Sequence, residues 1–337
     1  MSQKFYFFIN QMAWLKTYMP IAIELKSRNL DCVFLSEPSG KYSCCYKRKN
    51  QEKFNEMLKK YEIMHVNASQ IKNLRFAKED ILFSIEGNVG NKNVKKISAS
   101  LRNVILTNCT DFRFRYDEYV KRDHVEKIIF GSKGIATFYN KLSNKNCYLG
   151  LPKFDICDTK ENIYQKFNLK KEEKYCLIIA PRRESKSGFP WQKTVSQLRE
   201  KGYKVIVKSR GKDSYKSLGN KYYDHYFEDQ FWFTHDTIDL LMISDLMINT
   251  GSLAIEEAIF TSTPVINFDV KNHLHLAFLY DYNFVRNIKN NQEFDFEKII
   301  NNLLSERSEY EFEKCINENF RNIGQSSKAI IESVCKK

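Results

Sequence analysis

Glycine and proline are sparse in this chain, 12 and 6 among 337 residues, and no Gly-x-Gly-x-x-Gly run occurs, so a dinucleotide-binding fingerprint is excluded. Long apolar runs are lacking as well. The most hydrophobic N-terminal stretch, Phe5-Tyr6-Phe7-Phe8-Ile9, is too short for a signal core, and nothing reaches the length of a membrane span. A cytoplasmic chain is therefore expected. The nine cysteines contain no Cys-x-x-Cys pair, and the adjacent Cys44 and Cys45 are poorly spaced for one metal. Reduced thiols are expected, with neither a disulfide framework nor a metal constellation.

What is present is ample core-forming material. The chain is 42% hydrophobic with 25 Phe, and its length suits about two domains. Charge is unevenly distributed. Residues 1–150 hold 26 Lys and Arg against 14 Asp and Glu, a net +12, whereas residues 151–337 hold 28 against 27, a net +1. A basic half of this kind suits an anionic membrane surface or an acidic acceptor, or it serves only to solubilise the chain. With no nucleic-acid module in view, nucleic acid is the least expected partner.

Read in order, short apolar runs alternate with helical periods. Residues 4–9, 31–35, 80–85, 104–107 and 127–131 read as strands, with a helix containing Pro20 after the first and a charged helix near 51–61. A short strand at 146–149 leads into Gly150-Leu151-Pro152-Lys153-Phe154-Asp155, after which the polar stretch 158–173 marks a boundary. The pattern then restarts, with strands at 174–180, 203–207, 246–248 and 265–268 and helices between them. The domains expected are 1–152, basic and Rossmann-like; a linker, 153–172; a second Rossmann-like domain, 173–305; and closing helices, 306–337, bracing the first domain.

One stretch concentrates chemistry. In Ser244-Asp245-Leu246-Met247-Ile248-Asn249-Thr250-Gly251-Ser252-Leu253-Ala254-Ile255-Glu256-Glu257, a strand runs into a small-residue turn and then a helix. Gly251 allows close backbone approach, helix-terminal N–H groups attract anions, and Thr250 and Ser252 carry hydroxyls. A phosphate would fit there, with Glu256 or Glu257 on a ribose diol. Equally, Ser252 could simply cap a buried helix. Two further loops tilt the balance toward a pocket. The strand at 174–180 ends in Pro181-Arg182-Arg183, and the one at 203–207 ends in Lys208-Ser209-Arg210-Gly211-Lys212. Cations and a glycine turn gathered on one edge of a parallel sheet describe a pyrophosphate pocket.

The tandem αβ halves, the Gly-Leu-Pro-Lys-Phe-Asp linker and the run Ser-Asp-x5-Gly-Ser-x3-Glu-Glu-Ala-x5-Pro-Val-Ile at 244–266 together resemble the GT-B glycosyltransferase superfamily, near its UDP-N-acetylglucosamine 2-epimerase-like and CDP-glycerol glycerophosphotransferase-like branches. The resemblance implies an α/β fold of two doubly wound Rossmann-like domains facing across a cleft. It also implies a nucleotide-sugar donor used as substrate, with no cofactor and no metal. Thr250, Gly251 and Ser252 would meet donor phosphate and Glu256 or Glu257 the ribose, while Arg182, Lys208 and Arg210 would neutralise the departing diphosphate. The base that deprotonates an acceptor hydroxyl would come from the first domain, where Glu86 is the candidate, with Asp117 and His124 behind it.

The chain departs from both branches at the Lys-Ser-Arg-Gly turn, where each usually carries histidine. The implied activity is sugar transfer to a glycan or glycolipid acceptor in cell-surface polysaccharide or glycolipid synthesis, in which the basic half would face a phosphorylated acceptor or the anionic inner face of the membrane. The alternatives are a nucleotide-sugar epimerase or hydrolase, a glycerophosphotransferase, or a binding protein that keeps the fold.

Overall fold

The computed structural model describes residues 3–36, 48–85, 91–107, 120–131, 143–181, 189–209, 214–230, 232–269, 279, 282–289, 295–305 and 309–335. The chain forms two compact units, one of residues 1–156 with 319–337 and the other of residues 157–318.

The first unit is built on a seven-stranded sheet whose strands are β1 (Phe5–Ile9), β2 (Cys32–Ser36), β3 (Met64–Asn67), β4 (Ile81–Ile85), β5 (Arg102–Leu106), β6 (Val125–Phe130) and β7 (Asn146–Tyr148). Their spatial order is β3-β2-β1-β4-β5-β6-β7, and every pairing is parallel. Strands covered on both faces read as unbroken apolar runs, and β1, β2 and β4 are buried along their whole length. Phe7 stacks between Phe34 and Phe83, at ring distances of 5.0 and 5.1 Å. These rings lie on the face taken by α1 (Leu15–Ser27), whose Tyr18 ring packs on Phe7 and whose Tyr18 hydroxyl donates to the Phe8 carbonyl. Pro20 sits inside α1, and the helix runs on to Ser27.

The second unit repeats the plan with β8 (Lys174–Ile179), β9 (Tyr203–Ser209), β10 (His225–Glu228), β11 (Leu246–Asn249), β12 (Val265–Asp269) and β13 (Val285–Lys289). The order is β10-β9-β8-β11-β12-β13, again parallel throughout. In each sheet the strand order reverses once, between β1 and β4 in the first unit and between β8 and β11 in the second, and this is where open α/β sheets bind ligands. Helices α2 (Arg48–Lys60), α3 (Ala68–Ile71) and α4 (Lys92–Ser98) belong to the first unit, and α5 (Lys160–Phe167), α6 (Trp191–Glu200), α7 (Asp236–Met242), α8 (Ala254–Phe260) and α9 (Phe296–Ser305) to the second.

Three strands, β3, β10 and β13, have no counterpart in the apolar runs of the sequence. Each lies at an edge of its sheet, and Met64 of β3 is 59% exposed while all four β10 residues are half-buried. An edge strand covers little core, so neither Met-His-Val-Asn nor His-Tyr-Phe-Glu needs a hydrophobic run. Tyr226 and Phe227 lie in β10.

The last two helices go to different units. In α10 (Glu309–Asn319), Phe312 stacks on Phe284 of the second unit at 4.0 Å. In α11 (Ser326–Cys335), Glu332 pairs with Arg28 of α1 at 3.6 Å, and the Val334 carbonyl accepts from Arg102 at 3.0 Å. The Gly150–Asp155 segment anchors that last helix. The Asp155 carboxylate accepts from the N–H groups of Ser326 and Ser327, at 2.9 and 2.6 Å, and so caps α11 from a distant part of the chain. Gly150 has φ +102°, and a Cβ there would lie 2.2 Å from Ser326 Oγ and 2.3 Å from the Arg321 carbonyl. Burial pushes the Asp155 carboxyl above its ordinary value, against the lowering effect of the serine hydrogen bonds.

Candidate functional site

At the carboxyl edge of the second sheet, β9, β8 and β11 stand side by side. β8 delivers Ala180 and Pro181, β9 delivers Lys208 and Ser209, and β11 delivers the turn Thr250-Gly251-Ser252. Backbone bonds bring these ends together, since the Ala180 N–H donates to the Lys208 carbonyl at 2.9 Å. Thr250 Oγ1 donates to the Ile179 carbonyl, also at 2.9 Å, and so bridges the point where the strand order reverses.

The turn is more tightly built than its small residues suggest. Gly251 has φ +72°, a backbone shape glycine adopts without steric cost. Its N–H donates to Asn267 Oδ1 at 3.4 Å, and the Ser252 N–H donates to Asn249 Oδ1 at 3.2 Å. The Ala254 N–H donates to Ser252 Oγ at 3.3 Å. Three of the backbone donors expected to face an anion are therefore engaged within the protein. The Thr250 proton is committed to Ile179, so this residue fixes the turn, whereas the Ser252 hydroxyl keeps a proton to donate. Ser252 is not the cap residue of α8; that position belongs to Leu253, which makes no side-chain cap bond.

Glu256 and Glu257 lie in the first turn of α8, a helix of seven residues, and both are buried at 0% and 4% exposure. Lys208 is likewise buried, and its Nζ donates to Asp229 Oδ1 at 2.5 Å. Asp229 follows β10 and is a partner that sequence reading missed. A lysine this deep needs a counter-charge, and that requirement was the signal available.

Of the other residues named from the sequence, Arg182, Arg210, Glu86 and Asp117 lie outside the described residues. His124 precedes β6 and so sits at the amino end of that strand, at the opposite edge from the carboxyl ends. Its Nε2 is buried without a partner, and burial, aided by Arg122 and Lys145, lowers the imidazole pKa below its ordinary 6.5. A cavity of about 380 Å³ in the second unit, bordered by Lys170, Glu173, Lys204 and His225, also lies at amino strand ends, away from the turn. Among the described residues no group of three or more His, Cys, Asp or Glu is placed to hold a metal, and no helix is long and apolar enough to cross a membrane.

Two parallel doubly wound sheets in tandem, each with one reversal point, match a group of solved structures over almost their whole length. A glycosyltransferase from Rickettsia africae ESF-5 is 13% identical with a TM-score of 0.59, covering 99% of this chain and 98% of its own. The fold is GT-B. A protein assigned as a UDP-N-acetylglucosamine 2-epimerase from Listeria monocytogenes is 12% identical at a TM-score of 0.66, covering 99% and 96%. The wall teichoic acid polymerase TagF, solved as a variant, is 11% identical at 0.65, covering 99% and 88%. No protein-family model matches the sequence, and no curated protein matches it. The GT-B likeness therefore rests on three-dimensional arrangement, and it includes structures from both branches that the sequence motifs resemble.

Proposed function

We propose that this GT-B chain is a glycosyltransferase that moves a sugar from a nucleotide-activated donor to a hydroxyl acceptor, in the synthesis of a cell-surface polysaccharide or glycolipid. The observation that carries the reading is the placement of a buried cation and a positive-φ turn at the carboxyl ends of the strands on either side of β8, beside the reversal point. Lys208 is the penultimate residue of β9, Gly251 and Ser252 follow β11, and only β8 separates the two strands. The names of the structural neighbours, a glycosyltransferase and a UDP-sugar epimerase among them, support a nucleotide-sugar substrate.

In this reading the donor diphosphate lies over the turn, where a glycine backbone admits it closely and Ser252 donates its free proton. Breaking the sugar–phosphate bond builds negative charge on the leaving diphosphate, and Lys208, released from Asp229, neutralises it. Arg182 and Arg210 are proposed to add to that charge. One of the buried glutamates, Glu256 or Glu257, takes the ribose diol. The acceptor base is assigned to Glu86 of the basic half, whose cations would meet an anionic acceptor or the inner membrane face.

The test is a panel of nucleotide sugars followed by mass spectrometry, with thermal shift as the binding readout. Donor should be consumed only when a hydroxyl acceptor is present. Conversion without an acceptor would replace this reading with an epimerase or hydrolase, and failure of every nucleotide to bind would end it.

A further inference from the structure

Three asparagines stand level across adjacent strands, Asn249 as the last residue of β11 and Asn267 and Asn287 as the middle residues of β12 and β13, and nothing in the sequence motifs draws attention to them. Asn249 of β11 is level with Asn267 of β12, which is level with Asn287 of β13. Asn249 and Asn267 are 1% and 0% exposed, and Asn287 is half-buried. Their amides form a continuous chain, in which Asn249 Nδ2 donates to Asn267 Oδ1 at 2.9 Å and Asn267 Nδ2 donates to Asn287 Oδ1 at 2.7 Å.

Backbone donors fix the direction of this chain. The Ser252 N–H can only donate, so the atom it meets on Asn249 is the oxygen, and the Asn249 amide nitrogen must face the Ser252 carbonyl, 2.9 Å away, and Asn267. The Gly251 N–H likewise identifies the Asn267 oxygen, which turns the Asn267 nitrogen toward Asn287. Every link therefore has a donor facing an acceptor, and one end of the chain holds both flanks of the Gly251–Ser252 turn.

We infer that Asn267 and Asn287 are positioning residues that hold the Asn249–Ser252 turn in its positive-φ shape and, through it, set the affinity for the donor diphosphate. This rests on the proposed donor site. Asn287 lies on β13, two strands away from β11, and is tied to the turn through Asn267. It works by accepting from Asn267 Nδ2, which fixes the Asn267 oxygen against Gly251 and Asn249. An asparagine series suits the task because each amide donates and accepts at once, and in a buried setting such linked bonds reinforce one another.

The experiment uses Asn287→Ala and Asn287→Asp in the full chain, because Asn287 is half-exposed and its loss spares the core. An aspartate keeps an oxygen for Asn267 Nδ2; an alanine does not. Hydrogen exchange at the Gly251 and Ser252 amides should speed up roughly fivefold in Asn287→Ala and stay near wild type in Asn287→Asp, in line with one lost hydrogen bond. The dissociation constant for UDP or CDP, whichever the wild type binds, should rise by a similar factor in the first variant only.

Wild-type exchange in Asn287→Ala would overturn the inference. So would faster exchange with unchanged nucleotide affinity, or a loss of protection spread evenly over the whole second unit. If the wild type binds no nucleotide, the donor-site reading fails by itself, and the exchange measurement still decides whether the asparagines hold the turn.

Discussion

The hydroxyl of Thr250 donates to the carbonyl of Ile179 at 2.9 Å, joining the ends of two strands separated by 71 positions in sequence. Those ends flank the reversal point of the second sheet, so one side-chain bond sets how the Gly251 turn stands against β8. Thr250→Val keeps the shape and removes the bond, leaving a carbonyl unpaired at a site only 7% exposed. The expected cost is about 1–2 kcal/mol in urea unfolding, with weaker nucleotide binding. An unchanged midpoint and affinity would show that the bond does not hold the turn.

Lys208 has two expected partners, Asp229 in the free protein and diphosphate in the complex. Lys208→Ala should abolish detectable nucleotide binding, while Asp229→Asn should tighten it severalfold by weakening the competing pair. Isothermal titration separates the outcomes. If Asp229→Asn binds more weakly, Lys208 needs its aspartate for orientation and is not released to the ligand.

Gly150 is pinned by its surroundings. Alanine there would need φ +102° and would bring its Cβ within 2.3 Å of the Arg321 carbonyl. A destabilisation of about 2–4 kcal/mol is expected, seen as a lowered melting temperature. Asp155→Ala, which removes the distant cap of α11, should cost less, about 1–2 kcal/mol.

Lys166 of α5 donates to Asp239 of α7 at 2.5 Å, and the Asp239 side chain is fully buried. Burial pushes the Asp239 carboxyl above its ordinary value, and Lys166 is the chief influence opposing that rise. Lys166→Met would strand a buried carboxylate and should cost about 3–5 kcal/mol, whereas Lys166→Met with Asp239→Leu should recover much of the loss. Chemical denaturation of the single and double variants checks this.

Burial holds the imidazoles of His65, His124 and His225 below their ordinary value of 6.5. Each folded pKa is therefore lower than the unfolded one, and the unfolded chain takes up protons first as pH falls. The stability they contribute is fully present above pH 6.5 and is lost as pH drops from there through the folded values. Urea midpoints should decline between pH 7.5 and 5.5 in wild type, and the decline should be shallower in His124→Gln. Parallel curves for the two proteins would show that His124 contributes nothing to it.

The central strands were legible in the sequence because strands buried on both faces must be apolar, and β1, β4, β8, β9 and β11 each show such a run. The edge strands β3 and β10 were not, because half-exposed residues leave no such pattern. The same division runs through the site. Gly251 and Lys208 announced themselves as residue types at strand ends, and α/β alternation with apolar runs was enough to infer a doubly wound fold, since those signals are local.

Strand order, by contrast, is set by pairing between distant segments, and it alone placed Ile179 beside Thr250 and brought Asn249, Asn267 and Asn287 level. It also decided which donors are already in use. The Thr250 proton and the Gly251 and Ser252 amides look free in the sequence, but their acceptors lie on other strands or across the turn, and a hydrogen bond exists only once folding brings donor and acceptor within reach of each other.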